Sequence, residues 1–357
     1  MLVPATVSED IRNATVNVLI NETPLPQEAM HDLLAVTVEE DVDALGMFTL
    51  RLSDWDMDRR RVQWMDHALF TEGNAVEIQM GYEGDARLTT LMAGEITGLE
   101  PEFTVQSSPT LTVRGYDRRH RLARGHKTRA FVLMKDSDIA RQIAADAGFR
   151  PQVEDTQVQL EYVLQHNQTD LAFLRERARR LGYEVVVEDK TLHVRRPPAN
   201  QPAAVTLSVD EDLIEFLPRL TAMTQVDQME VRGWDLKHKK VITGTANSTP
   251  GMSGTNTGPR AARSAFGSAR SAGVQRPVFT QDEADRMAQG QFDEMALSYI
   301  SGDGICTGRA DVRAGAVVRI DGVGRRFSGL YYVTSTTHTL TAGEGYRTTF
   351  TVRRNAT

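Results

Sequence analysis

The feature that most constrains this fold is an internal repeat whose second copy is interrupted by an insertion. Three short motifs recur in the same order: residues 50–56 resemble 229–235, residues 73–84 resemble 315–324, and residues 110–114 resemble 349–353. Each match is short, but chance does not readily preserve the order of three. Self-similarity of this kind indicates one β-module built twice. A duplicated module favours symmetry and assembly over catalysis.

The composition is that of an ordinary globular protein of two or three domains. The chain has 357 residues, of which 40% are apolar and 25% charged, and its formal net charge is −7. This charge argues against a nucleic-acid partner for the molecule as a whole. Cys306 is the only cysteine, which excludes an intrachain disulfide and a multi-cysteine metal site. No secretory signal and no membrane-spanning apolar run is visible, so we expect cytoplasmic synthesis and no direct membrane insertion.

The alternation of apolar and polar residues predicts a mainly β fold. Residues 33–114 read as five strands separated by turn signals, which is typical of a small antiparallel barrel or sandwich. We place this first module at residues 1–115. Strand texture returns in residues 205–236 and again in 309–357, so the second module is predicted to be discontinuous.

Two other regions have a different texture. Residues 116–204 predict an α+β middle domain with two amphipathic helices, one near Asp136 and one near Thr169, followed by a hairpin. Residues 237–308 predict an insertion. It opens with a stretch rich in Gly, Ser, Thr and Asn, residues 243–273, which we expect to be a flexible loop. An amphipathic helix follows, opened by a capping box at Thr280 and Glu283.

Two charged clusters could carry chemistry, and for both a structural role is the better interpretation. Residues 114–129 are strongly basic and could bind an anion or nucleic acid. The alternative, which we favour, is a charged linker that pairs with acids elsewhere or lies at a subunit contact. The acids Asp210, Glu211, Asp212 and Glu215 resemble the paired carboxylates of glycoside hydrolysis. At the start of a β-module, such acids more often protect a strand edge.

No catalytic or metal-binding motif stands out. Cys306 has no basic neighbour in sequence to lower its pKa, so we expect a small buried residue and not a nucleophile. The histidines lack zinc-binding spacing, and there is no nucleophile elbow, phosphate loop or dinucleotide fingerprint. We therefore predict a protein that is not an enzyme and needs neither cofactor nor metal.

Aromatic–acid pairs end three of the predicted strands. They are Trp55–Asp56, Tyr116–Asp117 and Trp234–Asp235. We expect the ring to close the end of a barrel and the acid to form the turn, which is compatible with a place in a subunit interface. Together with Arg114, Arg232 and Arg353, these residues are the candidate structural and interface positions.

Several motifs together resemble a known family. They are Ser-Asp-Trp-Asp at residues 53–56, Val-Arg-Gly-Tyr-Asp-Arg at 113–118, Asp-Ser-Asp-Ile-Ala at 136–140, Asn-Gln-Thr-Asp at 167–170, Val-Arg-Gly-Trp-Asp at 231–235, and the segments 322–329 and 331–334. In this order they resemble the phage late control gene D protein family over nearly the whole chain. The resemblance is closest to baseplate hub proteins of contractile injection systems, and more distant to the hub part of VgrG spikes of type VI secretion.

The resemblance implies a structural role. In such hubs each protomer supplies two homologous tube-like antiparallel β-barrels around an α+β middle domain. Three protomers then form a ring of six similar modules that adapts a sixfold inner tube to a threefold spike. The implied partners are further copies of the chain, inner tube proteins, a spike and other baseplate components of a phage tail or phage-tail-like particle. Because the sequence stops at Thr357, we expect a separate spike polypeptide that docks near Arg353.

Two other functions remain open from sequence alone. One is a peptidoglycan-directed enzyme or binder at a tail tip, which would use the acids from Asp210 to Glu215. The other, less favoured, is a nucleic-acid-binding protein that uses the basic residues 114–129.

Overall fold

The computed structural model describes residues 13–198, 201–235, 238–273 and 278–357. The first module contains seven strands and a short helix: β1 (Ala14–Ile20), β2 (Thr23–Pro24), α1 (Gln27–His31), β3 (Leu33–Asp41), β4 (Met47–Ser53), β5 (Ala75–Tyr82), β6 (Thr89–Glu102) and β7 (Thr110–Asp117). Its strands follow the order β3-β4-β7-β6-β5-β1, all antiparallel. The inward side chains of these strands form one apolar core, which makes this module the first barrel.

The middle domain is α+β, as the sequence predicts. Its elements are β8 (Lys127–Lys135), α2 (Asp136–Asp146), β9 (Arg150–Val153), β10 (Gln159–Gln168), α3 (Asp170–Arg180), β11 (Glu184–Glu188) and β12 (Thr191–Arg195). The hairpin of β11 and β12 adds β9 in parallel, and β8 pairs with β10. Helix α3 begins after Thr169, whose hydroxyl accepts a hydrogen bond from the Ala172 amide at 3.1 Å. The predicted start of this helix near Thr169 is thus confirmed, with Thr169 as its N-cap.

The rest of the chain forms the second barrel and a small neighbouring sheet. The elements are β13 (Thr206–Ser208), β14 (Leu213–Leu220), β15 (Gln228–Asp235), β16 (Lys240–Ala246), α4 (Gly258–Phe266), β17 (Arg270–Gly273), α5 (Gln281–Leu297), β18 (Ile300–Thr307), β19 (Val317–Asp321), β20 (Gly329–Thr341) and β21 (Gly345–Arg354). Strands β15, β16 and β17 form a separate three-stranded sheet that α5 covers. Within the described ranges, no helix combines the length and apolarity needed to cross a bilayer.

The composition of the second barrel differs from the prediction in two places. The sequence places residues 228–235 in this barrel, but as β15 they belong to the separate sheet. Conversely, β18, which falls in the predicted insertion, is a central strand of the barrel. The similarity between residues 50–56 and 229–235 reflects a strand that ends in a Trp-Asp turn. Local patterns of this kind identify a strand but not the sheet it joins.

The predicted flexible loop is also wrong in part. Residues 243–273 include the end of β16, the whole of α4 and β17. Met252 is buried, and its amide donates to the Asn355 side chain at 2.7 Å. Small residues in this stretch allow it to pack tightly against the last residues of the chain, because a Cβ on Gly254 would lie 2.3 Å from the Thr357 carbonyl oxygen. The low complexity therefore reflects close packing.

The two barrels have the same strand order. The order β3-β4-β7-β6-β5-β1 of the first is matched by β14-β18-β21-β20-β19-β13 in the second. Two bulges correspond: β3 and β14 each have one beside their first residue, at Leu33 and Leu213, and β6 and β20 each have one after Ile96 and Val333. Two features differ: β5 and β6 have a further bulge after Ile78 that β19 and β20 lack, and β1 is antiparallel to β5 whereas β13 is parallel to β19.

The pairing register tests the sequence repeat residue by residue. Across β5, β6 and β7 the successive partners are Ala75, Glu95 and Tyr116. Across β19, β20 and β21 they are Val317, Tyr332 and Arg353. The match between residues 73–84 and 315–324 is therefore in register. The match between 110–114 and 349–353 is shifted by two positions, because the counterpart of Arg353 is Tyr116 and not Arg114. An even shift leaves the inward and outward faces unchanged.

Both cores use a phenylalanine over a glycine, from opposite strands. In the first barrel Phe48 of β4 covers Gly115 of β7, where an added Cβ would lie 2.2 Å from the ring. In the second, Phe350 of β21 covers Gly304 of β18, with a corresponding distance of 2.4 Å. Interiors are packed to a fixed density, so a large residue on one strand requires a small one opposite. This exchange conceals the repeat from a simple sequence comparison.

Candidate assembly site

The two barrels are joined edge to edge by direct strand pairing. Residues 35–41 of β3 pair antiparallel with residues 335–341 of β20, from Ala35 opposite Thr341 to Asp41 opposite Ser335. The sheet is therefore continuous from one barrel into the other. We call this junction the barrel seam.

An ion pair lies at one end of the barrel seam. Arg313, in the loop before β19, donates through Nε to Glu40 Oε2 at 2.7 Å and makes a second contact through Nη2. It also donates to the carbonyls of Thr90 and Leu91, each at 2.8 Å. Burial alone would raise the pKa of Glu40, but Arg313 overcomes this and holds that pKa below its ordinary value. A second-barrel residue is thereby fixed to two strands of the first.

A neutral polar cluster lies farther along the barrel seam. His338 of β20 is fully buried opposite Val38. Its Nδ1 lies 2.9 Å from the Tyr346 hydroxyl and 3.1 Å from the Thr348 hydroxyl. Burial lowers the pKa of His338 to about 4, so the ring is uncharged at neutral pH. The cluster therefore adds hydrogen bonds to the barrel seam but no second charge.

Asp117, a predicted turn acid, connects the first barrel to the middle domain. Its carboxylate accepts hydrogen bonds from the amide of Arg119 at 2.8 Å and from the guanidinium of Arg119 at 2.7 Å. Arg119 in turn donates to the Asp41 carbonyl at 3.2 Å. Asp117 also accepts from the Gly46 amide. Asp117 therefore binds the residues that follow β7, and through Arg119 its contacts reach the end of the barrel seam.

The basic segment 114–129 is largely neutralised by acids within the chain. Glu95 accepts from Arg118 at 3.0 Å, from Arg121 at 2.9 Å, and lies 2.8 Å from a ring nitrogen of His120. Farther along, Lys127 and Arg129 both contact Asp170 at 2.6 Å. These pairs confirm the charged-linker interpretation. They leave few cations of this segment to meet a nucleic-acid backbone.

Asp212 of the acidic cluster and Cys306 also have structural roles. Asp212 accepts from Arg309 at 2.8 Å, and the other arm of that guanidinium holds Asp311 at 3.0 Å. Cys306 is completely buried, and burial raises the pKa of its thiol to about 12. A thiol of this kind is a poor nucleophile. In the described part of the chain, no three His, Cys, Asp or Glu side chains converge as metal ligands would.

The remaining candidate residues do not converge on one site. Asp56 accepts from the amides of Asp58 and Arg59 in a tight turn, and the Arg59 amide contributes most to lowering the pKa of Asp56. Trp55, which precedes it, is half-buried. These residues follow the end of β4 that lies away from Tyr116, since Tyr116 pairs with the first residue of β4.

The second Trp-Asp pair lies outside both barrels. Trp234 of β15 is 48% exposed and pairs with Val241 of β16, so the prediction that this ring closes a barrel is wrong. Asp235 accepts a hydrogen bond from the His238 amide at 3.0 Å. Arg232 pairs with Glu230 at 2.8 Å on the same strand. Arg114 pairs with Glu100 at 3.1 Å on the outer face of the first barrel.

Arg353 lines a cavity of about 530 Å³ between the middle domain, α5 and β21. Tyr332 donates to Glu184 in its wall, and burial raises the pKa of Glu184. The residues beyond Arg353 are integrated into the fold, because Asn355 and Ala356 are buried. The segment that follows Arg353 is therefore packed into the fold and does not extend freely from it.

Two important residues were missed from the sequence. Asp54 is fully buried, and its carboxylate accepts from the amides of Gln63 and Trp64, which holds the following loop against the first barrel. Arg354 is buried, donates to the Ser328 carbonyl at 2.8 Å, and stacks over Tyr331. The signal for Arg354 was present: β21 alternates inward and outward, and Arg354 continues the inward series.

Comparisons with known proteins find one family model and several solved structures with this fold. A family model described as the Alg8 N-terminal domain matches residues 10–342. No curated protein matches the chain. Among solved structures, the 43 kDa tail protein of prophage MuSo2 from Shewanella oneidensis is similar with a TM-score of 0.70 and 14% identity, over 96% of this chain and 98% of that one.

Two further structures share the fold. The tail protein from Neisseria meningitidis MC58 has a TM-score of 0.66 and 12% identity, over 96% of each chain. The Escherichia coli c3393 protein, described as a component of the type VI secretion system with structural similarity to the T4 phage tail proteins gp27 and gp5, has a TM-score of 0.62 and 12% identity. It is matched over 95% of this chain and 77% of its own. The predicted fold class, two similar barrels with α+β additions, is confirmed.

Proposed function

The chain belongs to the family of the Alg8 N-terminal domain, and we propose that it is a structural hub of a phage-tail-like particle. In this proposal three copies form a ring that adapts a sixfold inner tube to a threefold spike. The names of the proteins that share its fold, two tail proteins and a type VI secretion component, support a role of this kind. The resemblance to late control gene D proteins belongs to the same proposal.

One observation carries the proposal: the two barrels agree in strand order, in the positions of two bulges and in pairing register. A trimer can offer six similar surfaces only if each chain presents the same surface twice. A single barrel with unrelated additions could not do so. Head-to-tail contacts that close into a ring are the assembly mode such a chain requires.

The proposed partners are further copies of this chain, inner tube proteins, a spike and other baseplate components. The function we propose is mechanical, with no enzymatic step. Arg114, Tyr116 and Trp234 remain proposed contact residues, and the spike is proposed to dock near Arg353. Deleting the residues after Arg353 would disturb a buried part of the fold, so docking is better tested by changing Arg353 alone.

The test is the mass of the chain in solution. Light scattering coupled to size exclusion should give three times the 39.7 kDa of one chain. Averaged electron micrographs viewed along the ring axis should then show six lobes. A chain that remains monomeric at high micromolar concentration, or a ring of another number of lobes, would contradict the proposal.

A further inference from the structure

Each barrel has an edge strand with one unpaired side. In the second barrel β14 pairs only with β18 among the described strands. In the first, β5 stops pairing with β6 at Glu95, so residues 98–102 of β6 pair with β7 alone. Unpaired edges expose backbone donors and acceptors that favour the addition of another strand.

These two edges correspond to the two sides of the barrel seam. Strand β14 occupies in the second barrel the position that β3 occupies in the first. Each has a bulge beside its first residue, Leu213 in β14 and Leu33 in β3. After its own bulge β6 pairs Gly98 with Arg114, as β20 pairs Ser335 with Thr351. On its other side this part of β20, residues 335–341, pairs with β3. The corresponding part of β6 pairs on that side with no strand of its own chain among those described.

We propose that β14 of one copy pairs antiparallel with residues 98–104 of the next copy, repeating the barrel seam between chains. This inference rests on the proposed function and specifies which surfaces form the ring. The seam fixes the register: the partner for Gly98 is Thr221, and the partner for Thr104 is Glu215. Each chain then has one β14 edge and one edge at residues 98–104. The contacts between chains are therefore head-to-tail and can close into a ring.

The side chains brought together by this register are complementary. Glu100 falls opposite Arg219, and opposite charges on facing strands attract. Arg219 is exposed and has no ion-pair partner in the described ranges, while Glu100 is exposed and already pairs with Arg114 of its own chain at 3.1 Å, so it would bridge Arg114 and Arg219. On the core side Phe103, which is 61% exposed in the single chain, falls opposite Phe216.

One position of this register makes no backbone hydrogen bond. Pro101 falls opposite Pro218, and proline has no N–H to donate. The pairing therefore depends on the residues on both sides of this position. Proline also protects a free edge from adding strands indiscriminately. Each edge would thus be protected until its counterpart, with the matching register and charge, is present.

Cysteine cross-linking tests the register. The double variant Glu100→Cys with Arg219→Cys should form disulfide-linked dimers and closed trimers under mild oxidation, seen on non-reducing gels. The matched control, Glu102→Cys with Arg219→Cys, shifts one cysteine by two residues along the same face, to a diagonal separation of about 7–8 Å. It should cross-link far less. Equal cross-linking of the two variants would overturn the register.

Charge exchange gives a second measurement that needs no cysteine. Arg219→Glu should weaken trimer formation by about tenfold or more, because every contact in the ring then has like charges opposed. Adding Glu100→Arg should restore it. A stable trimer that neither cross-links nor responds to these changes would overturn this inference and leave the proposed function standing. A chain that is monomeric in every variant and in the wild type would overturn both.

Discussion

Arg313 of the second barrel and Glu40 of the first form an ion pair across the barrel seam. The same guanidinium donates to the carbonyls of Thr90 and Leu91 at the start of β6. One side chain of the second barrel therefore connects two strands of the first, β3 and β6, that are far apart in sequence. If the seam sets the angle between the barrels, Arg313 is the residue that fixes it most directly.

Replacing Arg313 should destabilise the whole molecule. Arg313→Met leaves Glu40 without its partner in a partly buried position, and we expect a loss of about 2 kcal/mol in the free energy of unfolding. Arg319→Met is the matched control, since it removes an exposed pair with Asp321 and should cost well under about 1 kcal/mol. Urea unfolding followed by circular dichroism measures both. Equal losses in the two variants would contradict a special role for Arg313.

The phenylalanine–glycine pairs predict sharp steric limits. Gly115→Ala places a Cβ 2.2 Å from Phe48 and 2.3 Å from the Glu95 carbonyl oxygen, so the strands must separate. We expect a loss of about 3 kcal/mol. Gly343→Ala adds the same atom where nothing lies within 4 Å and should change stability little. Thermal unfolding compares the two, and a Gly115→Ala variant as stable as the control would show that the core relaxes freely.

Strands and helices could largely be predicted because their signals are local. The caps at Thr169 and Thr280 and the turn at Asp117 depend on residues a few positions apart, and all three are present. Alternation over two residues identified most strands of both barrels. The same alternation along β21 indicates that Arg354 points inward, but arginine is rarely buried, so the composition argues against that position.

Sheet membership could not be predicted because it depends on distant pairing. Residues 228–235 and 50–56 look alike, yet only the second segment lies in a barrel. The actual counterpart of β4 is β18, where Gly302 and Gly304 stand in the positions of Phe48 and Leu50. Such exchanges preserve volume across the core and erase sequence similarity. The ion pair of Glu40 and Arg313 could not be predicted either, because it too depends on strand pairing between residues that are far apart in sequence.

The buried His338 predicts how stability depends on pH. Its pKa is about 4 in the fold, below an ordinary value of about 6.5, so between these values the unfolded chain binds a proton that the fold excludes. Stability should therefore fall as the pH drops, by about 2 kcal/mol between pH 7 and pH 5. His338→Gln keeps a partner for Tyr346 and should lose most of this dependence. A parallel decline in both proteins would assign the effect to other groups.

Cys306 should be unreactive in the folded protein. It is completely buried and burial raises its pKa to about 12, so both access and thiolate formation are suppressed. An aromatic disulfide reagent should label the native wild type only as fast as the barrel opens, and should label it at once in denaturant. The single variant Glu100→Cys, whose new thiol lies on the surface, should react rapidly with one equivalent while Cys306 stays protected. Rapid labelling of the native wild type would show that β18 detaches readily, and a barrel that opens there could not hold β14 in place for a neighbouring chain.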